Sequence, residues 1–333
     1  MQTPSERTGK LLLSTEAEIF EKLVESDNPF RTLKAHINFR KLTDPLRDLY
    51  SDFGVTGIDI EKGFKTLLIQ FWEDYSDREM ERALRHNIVV RWFCGFGLIE
   101  HTPDHTYFTK LRARIGAERL AQLFNDVNLE LQEQGFLGDV FTFIDASTMI
   151  TKSALWKERD KAIKAGEEKL NNAVVSKYAK DTEARWGAKS KHNIWFGYKR
   201  HTAIDMRSGL IKKTLVTPAN VPDFRTVKEL LPVSGMVCMD KLYDTKDVDE
   251  LLRAHGLYAA TIRKITNPFK NPDLDRFHSA LRMPFEGTFS KLSKRARYRG
   301  LSKVSFQNTF QSLAYNLKKL LALLLQGGVL QGV

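Results

Sequence analysis

Three carboxylate residues stand in sequence contexts that suit chemistry on phosphate esters. Asp145 ends the strand-like run FTFID, Asp240 ends a second such run, MVCMD, and Glu286 lies in the basic segment RMPFEGTFSKLSKRARYRG. From His278 to Lys319 there are nine Lys or Arg residues, and Glu286 is the only acid among them. A carboxylate beside a bound polyanion can ligate Mg²⁺ while neighbouring cations hold the phosphates. We therefore predict a metal site formed by these three side chains.

Each acid also has an ordinary structural explanation. Asp145 suits a helix or turn cap, Asp240 suits a turn at a strand end, and Glu286 suits the first turn of a helix. Two carboxylates held side by side repel each other unless a cation lies between them. Their joint occurrence at two strand ends, next to a basic segment, favours the metal site over three separate structural roles.

The composition bounds the class of protein. The chain has 333 residues, of which 42% are hydrophobic, and this is enough for two domains that each bury a core. The formal net charge of +11 favours a polyanionic partner, most simply nucleic acid, although a basic enzyme of another kind fits the charge alone. Cys94 and Cys238 lie far apart in apolar surroundings, which suits neither a disulfide framework nor a zinc site.

The termini carry no targeting signal that we recognise. The first ten residues lack the charged-then-apolar order of a signal peptide, and the apolar run Leu320 to Leu325 is too short to span a bilayer. Together with the two unpaired cysteines, this leads us to expect a cytoplasmic protein with no membrane partner.

The first part of the chain, residues 1–137, is predicted to be a helical N-terminal domain for DNA binding and assembly. Apolar residues recur there at helical spacing between residues 15 and 135. Ser76 and Glu79 match a capping box, and a helix break is expected near Gly116. Arginines at 112, 114 and 119 on a solvated helix face are candidates for phosphate contact, although the domain could equally be a packing module.

From residue 138 the pattern changes to that of an α/β catalytic domain, which we assign to residues 138–333. It carries a basic insert at about 152–195 and a loop over Thr266 to Phe277. The five strands expected in chain order are FTFIDAS, WFGYKRHTAID, LIKKTLVT, MVCMD and YAATIR. If strand four pairs with the free edge of strand one, they form a mixed five-stranded sheet of order 3-2-1-4-5, flanked by helices.

This order places the carboxylates together. Neighbouring strands lie about 4.8 Å apart, so Asp145 and Asp240 would stand side by side at the ends of parallel strands. A helix that begins near Pro284 would carry Glu286 in its first turn and lay it over the same strand ends. Three such carboxylates bind two Mg²⁺ ions that clamp the attacking and leaving oxygens of a phosphoryl transfer.

These motifs, taken together, resemble the DDE transposases of bacterial insertion sequences, specifically the insertion-sequence-five type. The resemblance spans nearly the whole chain and is carried in the catalytic part by FIDAS, GYKRHTAID, LVTPANVPD, MDKLYD, FEGTFSKLSKRARYRGL and LAYNL. It implies a ribonuclease-H-like fold with Asp145, Asp240 and Glu286 as the metal-binding catalytic triad. It also implies two Mg²⁺ ions, with Mn²⁺ as a substitute, and Arg282 matches the family's arginine four residues before the glutamate.

The resemblance implies a transposase that binds double-stranded DNA at its element's terminal inverted repeats, cleaves it, and joins it to target DNA. We expect a homodimer or larger assembly on DNA, in the bacterial cytoplasm and associated with the nucleoid. The residues assigned to DNA or phosphate contact are Arg282, Lys291, Lys294, Arg295, Arg297, Arg299, Lys241, Tyr243, Lys199 and His201. The alternatives are a ribonuclease-H-like metal-dependent nuclease without strand transfer and a catalytically retired DNA-binding protein.

Two features remain open at this point. The family commonly has a lysine seven residues after the glutamate, and here Ser293 stands there. On a helix that runs on from Pro284, Lys294 would lie about 80° from Glu286 and Lys291 about 140°, which favours Lys294 as the substitute. The leucines of the C-terminal helix, Leu313 to Leu324, form an apolar stripe that suits either self-association or packing on the protein's own sheet.

Overall fold

The computed structural model describes residues 15–49, 57–151, 172–190 and 193–325, and of Glu286 and Tyr178 it describes the backbone alone. These residues form two compact units, one up to Arg119 and one from Leu120 onward. The division lies earlier than the predicted boundary at 137/138. The reason is that the end of the long helix packs within the second unit, where the Asn128 amide donates to the carbonyl oxygens of Ile211 (3.1 Å) and Lys212 (2.8 Å).

The first unit is helical, as predicted. Its helices are α1 (Thr15–Leu23), α2 (Pro29–His36), α3 (Phe39–Thr43), α4 (Ile60–Trp72), α5 (Asp77–His86), α6 (Ile88–Cys94) and the first part of α7 (His105–Glu133), with a 3₁₀ turn at Asp44–Leu49. Helix α4 is buried over most of its length, and its buried residues include the polar Lys65, Thr66 and Gln70. The capping box is confirmed, since Ser76 and Glu79 each accept a hydrogen bond from the other's backbone N–H.

Helix α7 changes direction at Gly116, where the backbone φ of +72° confirms the predicted break. One arginine on this helix differs from expectation. Arg112 Nη2 lies 2.6 Å from Asp77 Oδ2 in a largely buried ion pair within the helical unit. Arg119 Nη2 lies 3.0 Å from Asp48 Oδ2 in an exposed pair, which contributes little to stability and leaves phosphate contact by Arg119 a prediction.

The second unit contains a mixed sheet, which has seven strands among the described residues. They are β1 (Phe141–Thr151), β2 (Arg185–Ser190), β3 (Asn193–Asp205), β4 (Ile211–Pro218), β5 (Met236–Met239), β6 (Tyr258–Thr261) and β7 (Arg295–Ala296). Strand β3 pairs antiparallel with β4 and β1, and the parallel pairs are β1 with β5 and β5 with β6. The predicted number of five strands is wrong, because β2 pairs with the first part of β3 and β7 with the end of β1.

Strand β2 belongs to the stretch that was predicted as a basic insert at about 152–195. Residues 152–171 of that insert lie outside the described residues. The part from residue 172 onward forms a 3₁₀ turn (Asn172–Val174), helix α8 (Val175–Tyr178) and β2, and is therefore built into the sheet.

The remaining helices of this unit are α9 (Val227–Leu230), α10 (Lys246–Ala254), α11 (Pro272–Ser290) and α12 (Leu301–Leu325), with 3₁₀ turns at Asp223–Thr226 and Lys241–Tyr243. The loop predicted over residues 266–277 is wrong in its second half, because α11 begins at Pro272. The Asn271 side chain accepts from the N–H groups of Asp273 (3.0 Å) and Leu274 (3.2 Å), and Pro272 fits the first helical position.

Helix α12 packs inside the second unit. Leu313, Leu317 and Leu320 are buried, and the Asn316 side chain accepts a hydrogen bond from the Ile211 N–H at 2.8 Å. The leucine stripe therefore serves the protein's own core, which was the alternative to self-association. None of the described helices combines the length and the apolar character needed to cross a bilayer.

The interior of the sheet makes a prediction about pH. His201 of β3 is 0% exposed, its Nε2 lies 2.8 Å from Thr217 Oγ1, and burial lowers its pKa to about 4. Above pH 6.5 the imidazole is neutral in both the folded and the unfolded chain. As the pH falls from 6.5 towards 4, the unfolded chain takes up a proton that the folded chain rejects, so stability falls, by up to about 3 kcal/mol.

We expect His201→Gln to remove this part of the acid-induced loss of stability. The measurement is the free energy of unfolding in urea at about pH 7.5 and about pH 4.5, for the parent and the variant. The exposed His36 supplies the control His36→Gln, which should behave like the parent. An acid-induced loss of equal size in parent and His201→Gln would contradict the prediction.

Candidate active site

Asp145 and Asp240 lie at equivalent positions on adjoining parallel strands. The pairing of β1 with β5 ends with Phe143 opposite Cys238. The same register continued by two residues sets Asp145 opposite Asp240, and neighbouring strands lie about 4.8 Å apart. The close approach of the strands begins at Gly235, where φ is +91° and a Cβ would collide with the carbonyl oxygens before β1.

The sheet opens at the level of Asp145. On the side of β1 away from β3, β5 pairs with the first residues of β1 and β7 pairs with its last two. Between them, Ile144 to Met149 have no partner strand on that side among the described residues. The far end of the opening is closed by a hydrogen bond of 2.7 Å from Ile150 N–H to the carbonyl oxygen of Lys294. Asp145 thus lies in a notch of the sheet.

Asp240 is held at the edge of this notch by two groups. As the N-cap of the 3₁₀ turn, its Oδ1 accepts from the Lys241 N–H at 2.5 Å. The same oxygen lies 3.2 Å from Nη1 of Arg282, a side chain that is 9% exposed. The guanidinium group of Arg282 therefore forms an ion pair with Asp240, in addition to the phosphate contact predicted for it.

Helix α11 covers the notch with an aromatic contact and this arginine. Phe285 and Phe289 lie 6.4 Å and 6.3 Å from the ring of Phe143, measured between centroids, and the Arg282 guanidinium lies 5.6 Å from the same ring. The three contacts place the buried face of the helix against the β1 residue two positions before Asp145.

Glu286 follows Arg282 by four residues in the same helix, so the two positions lie one turn apart on one face. The side chain of Glu286 is outside the described part of the structure. Pro284 lies inside the helix, which corrects the expectation that the helix begins there and leaves Arg282 in a loop. Among the described side chains, no three His, Cys, Asp or Glu converge as a metal site.

The electrostatics of Asp145 suit a cation ligand. Burial raises the pKa of Asp145 to about 6, and the charge of Asp240 adds to the rise, whereas the Ala146 N–H and the charge of Arg282 oppose it. A carboxylate that is costly to ionise next to a second carboxylate would gain from a bound cation. Hard oxygen donors of this type prefer Mg²⁺ or a similar divalent ion, so the residues fit the expected metal.

Several residues assigned to phosphate contact lie on the surface near this helix. The side chains exposed to solvent are those of Lys241, Lys291, Lys294, Arg295 and Arg299. Arg297 is partly buried, and its backbone N–H donates to Gln307 Oε1 at 2.8 Å. Helix α11 ends at Ser290, with Lys291 as its C-cap. The angular comparison of Lys291 with Lys294 on one continuous helix is therefore wrong.

Two other assigned residues lie in the interior, which corrects their assignment to a DNA-contacting surface. His201 is 0% exposed and faces Thr217, and Tyr243 is 1% exposed. Lys199 is only partly buried, its Nζ pairs with Asp223 Oδ1 at 2.5 Å, and its assignment stays a prediction. His and Tyr are residue types that often reach the surface, and in these two cases tertiary packing overrides that tendency.

Two charges near the site were not singled out from the sequence. The charge of Lys189 on β2 lowers the pKa of Asp145, and the charge of Asp223 raises the pKa of Tyr243. Lys189 lay in a charged stretch with no periodic signal. Asp223 ends the motif LVTPANVPD, directly after Pro222. That motif was the sequence feature from which Asp223 could have been identified as a residue near the site.

Comparison with known proteins agrees with the geometry. The family model described as "Transposase domain (DUF772)" matches residues 18–114, and the model described as "Transposase DDE domain" matches residues 137–317. Among solved structures, the chain is similar to that of a cryo-EM structure of the piggyBac transposase synaptic complex with hairpin DNA, at 11% identity and a TM-score of 0.41. That match covers 88% of this chain and 73% of the other. Because the second family model spans more than half of the sequence, the chain belongs to the DDE transposase family.

Proposed function

We propose that the protein binds the ends of its insertion sequence and catalyses metal-dependent strand cleavage and transfer into target DNA. Asp145, Asp240 and Glu286 supply the metal-binding carboxylates. The observation that carries this proposal is the register of β1 and β5, which sets Asp145, inside β1, opposite Asp240, directly after β5, beside the helix that bears Glu286. Membership of the DDE transposase family supports the same reaction class.

We assign Mg²⁺ to the site, two ions per site with Mn²⁺ as a substitute, because the expected ligands are carboxylate oxygens. When bound, such ions polarise the scissile phosphate and activate the attacking oxygen. The chain's own residues prepare the site for them. Arg282 fixes Asp240, and the contacts of Phe143 with Phe285 and Phe289 hold α11 against β1 beside Asp145.

The chemistry consists of two in-line displacements at phosphorus. In the first, water attacks the phosphodiester, its proton leaves to solvent or a base, and the 3′ oxygen departs and is protonated. In the second, that 3′ hydroxyl attacks a target phosphodiester, and the target's own 3′ oxygen leaves. Each step exchanges one P–O bond for another, so one site can serve both.

DNA is held, in this proposal, by the exposed cations that follow α11 and by Lys241 next to Asp240. Of these, Lys291, Lys294 and Arg295 lie on the segment that leads from α11 into β7, whose backbone is attached to the end of β1. These three phosphate contacts are therefore anchored to the strand that carries Asp145. We further propose that the protein works as a homodimer or larger assembly, since two element ends must be held together.

The first test concerns the carboxylates. Asp145→Asn, Asp240→Asn and Glu286→Gln should each lower cleavage of end DNA at least a hundredfold and change its binding affinity less than threefold, because phosphate contacts lie elsewhere. The exposed Glu250 on α10 supplies the control Glu250→Gln, which should cleave like the parent. Binding without any cleavage by the parent would instead point to a retired DNA-binding protein, and cleavage without joined product to a nuclease.

The second test concerns the metal. Without divalent ions at about pH 7.5, Asp145→Asn should be more stable than the parent by about 1 to 3 kcal/mol, because it removes a carboxylate that burial makes costly to ionise. The gain should shrink as the pH falls from about 6 towards 4, where the parent's Asp145 becomes protonated.

Added Mg²⁺ should then raise the Tm of the parent and leave that of Asp145→Asn nearly unchanged. Thermal unfolding with increasing MgCl₂, with CaCl₂ run in parallel, measures both effects. An equal Mg²⁺-dependent rise in parent and variant would remove Asp145 from the set of metal ligands.

The third test separates the two lysines after α11. Lys294 immediately precedes β7, and its carbonyl oxygen accepts from Ile150 of β1, whereas Lys291 caps the helix. Lys294 is thus fixed relative to the strand of Asp145. We expect Lys294→Ala to slow strand transfer of pre-cut ends at fixed salt more than Lys291→Ala does, with Ser293→Lys tolerated. A greater loss with Lys291→Ala would assign the family's lysine role to the helix end.

A further inference from the structure

Tyr243 has a buried hydroxyl group for which the described residues provide no hydrogen-bond partner. Its side chain is 1% exposed and belongs to a hydrophobic cluster that includes Ile144 and Met239. Burial of an unpaired hydroxyl is costly, and a phenylalanine would fill the same space without that cost. The hydroxyl therefore calls for a functional explanation.

The ring lies near the two carboxylates of the candidate site, whose charges both act on it. Ile144 precedes Asp145 and Met239 precedes Asp240, so Tyr243 belongs to the same buried cluster as the residue before each aspartate. Its own 3₁₀ turn is capped by Asp240, which fixes its place relative to β5. Burial, and then the charges of Asp145, Asp223 and Asp240, raise the pKa of Tyr243 well above its ordinary value. At neutral pH the phenol is thus a hydrogen-bond donor.

The three nearby carboxylates differ in what they already accept. Asp223 is paired with Lys199 at 2.5 Å, and Asp240 accepts from its turn and from Arg282. Asp145 has only one hydrogen bond from the described residues, to its Oδ1 from the neighbouring Ala146 N–H at 2.8 Å. Its charge is also the largest electrostatic influence on Tyr243. Asp145 is therefore the acceptor with unused capacity.

We propose that Tyr243 is a positioning residue that donates its hydroxyl hydrogen bond to the Asp145 carboxylate when the active site holds its divalent metal, with or without DNA. This inference rests on the proposed function of Asp145. None of the described residues competes for this hydroxyl, and in the loaded site it orients the carboxylate for ligation. Neighbouring hydrogen bonds of this type fix the orientation of metal-ligating groups in proteins.

The test compares Tyr243→Phe with Tyr198→Phe. Tyr198 is a matched control, because it is also buried in this unit but its hydroxyl donates to Asp181 Oδ1 at 2.8 Å. Removing a paired hydroxyl should lower the Tm, whereas removing an unpaired one should leave the Tm equal or raise it. We therefore expect Tyr198→Phe to be less stable than the parent and to cleave normally. We expect Tyr243→Phe to be at least as stable as the parent, to bind end DNA with unchanged Kd, and to cleave at least tenfold more slowly in a single turnover.

A second readout needs no DNA. The midpoint of the MgCl₂-dependent rise in Tm should move to higher concentration in Tyr243→Phe and stay unchanged in Tyr198→Phe. Parental cleavage rate in Tyr243→Phe, or a fall in its Tm as large as that of Tyr198→Phe, would overturn the proposal. If the parent itself fails to cleave, the proposed function is wrong, and an unchanged MgCl₂ midpoint in Tyr243→Phe would separately overturn the role of Tyr243.

Discussion

The parallel pairing of β1 with β5 stops early, and the rest of the candidate site depends on where it stops. The ladder ends at Phe143 and Cys238, and after this point β5 turns into a 3₁₀ turn while β1 continues for eight more residues to Thr151. A longer ladder would join Asp145 to a neighbouring strand by backbone hydrogen bonds and leave no notch. The early end leaves a carboxylate on each strand at the edge of a gap in the sheet.

Helix α11 can cover that gap because it is longer than its sequence suggests. Starting at Pro272, it reaches the gap in its third turn and places Arg282 beside Asp240, with Phe285 and Phe289 over Phe143. Pro284 removes one backbone donor in the middle of the helix, and the flanking contacts hold the helix across this position. The interaction of Arg282 with Asp240 therefore depends on the start of the helix at Pro272, more than two turns before Arg282.

The parts of this arrangement that could be predicted from sequence are those with a local signal. Apolar runs that precede an Asp identified β1 and β5. Asp240 does follow the end of β5, but the expectation that Asp145 ends its strand is wrong, because pairing with β3 continues beyond it and β1 ends at Thr151. The start of α11 had a signal as well, since Asn271 and Pro272 form a cap and first-turn pair, but the surrounding prolines and asparagines favoured a loop. Strand β7 has two residues and hence no periodicity to detect. The burial of His201 and Tyr243 is set by distant elements, and no local pattern encodes it.

A buried arginine next to β1 is paired with neutral side chains. Arg200 of β3 pairs with Ser147, two residues along β1 from Asp145, and is 1% exposed. Its guanidinium group donates to the side-chain oxygens of Asn308 and Gln311 on α12, and among the described residues no carboxylate forms an ion pair with it.

Burial without a paired carboxylate lowers the pKa of Arg200 to about 9. The amide oxygens of Asn308 and Gln311 satisfy donors of the buried guanidinium group without placing a second charge in the interior. The same helix supplies Gln307, whose side chain donates to the carbonyl oxygen of Arg295 in β7, and Asn316, whose side chain bonds the backbone of Ile211 in β4. The polar side chains of α12 are thus explained by the buried groups of the sheet that need hydrogen-bond partners.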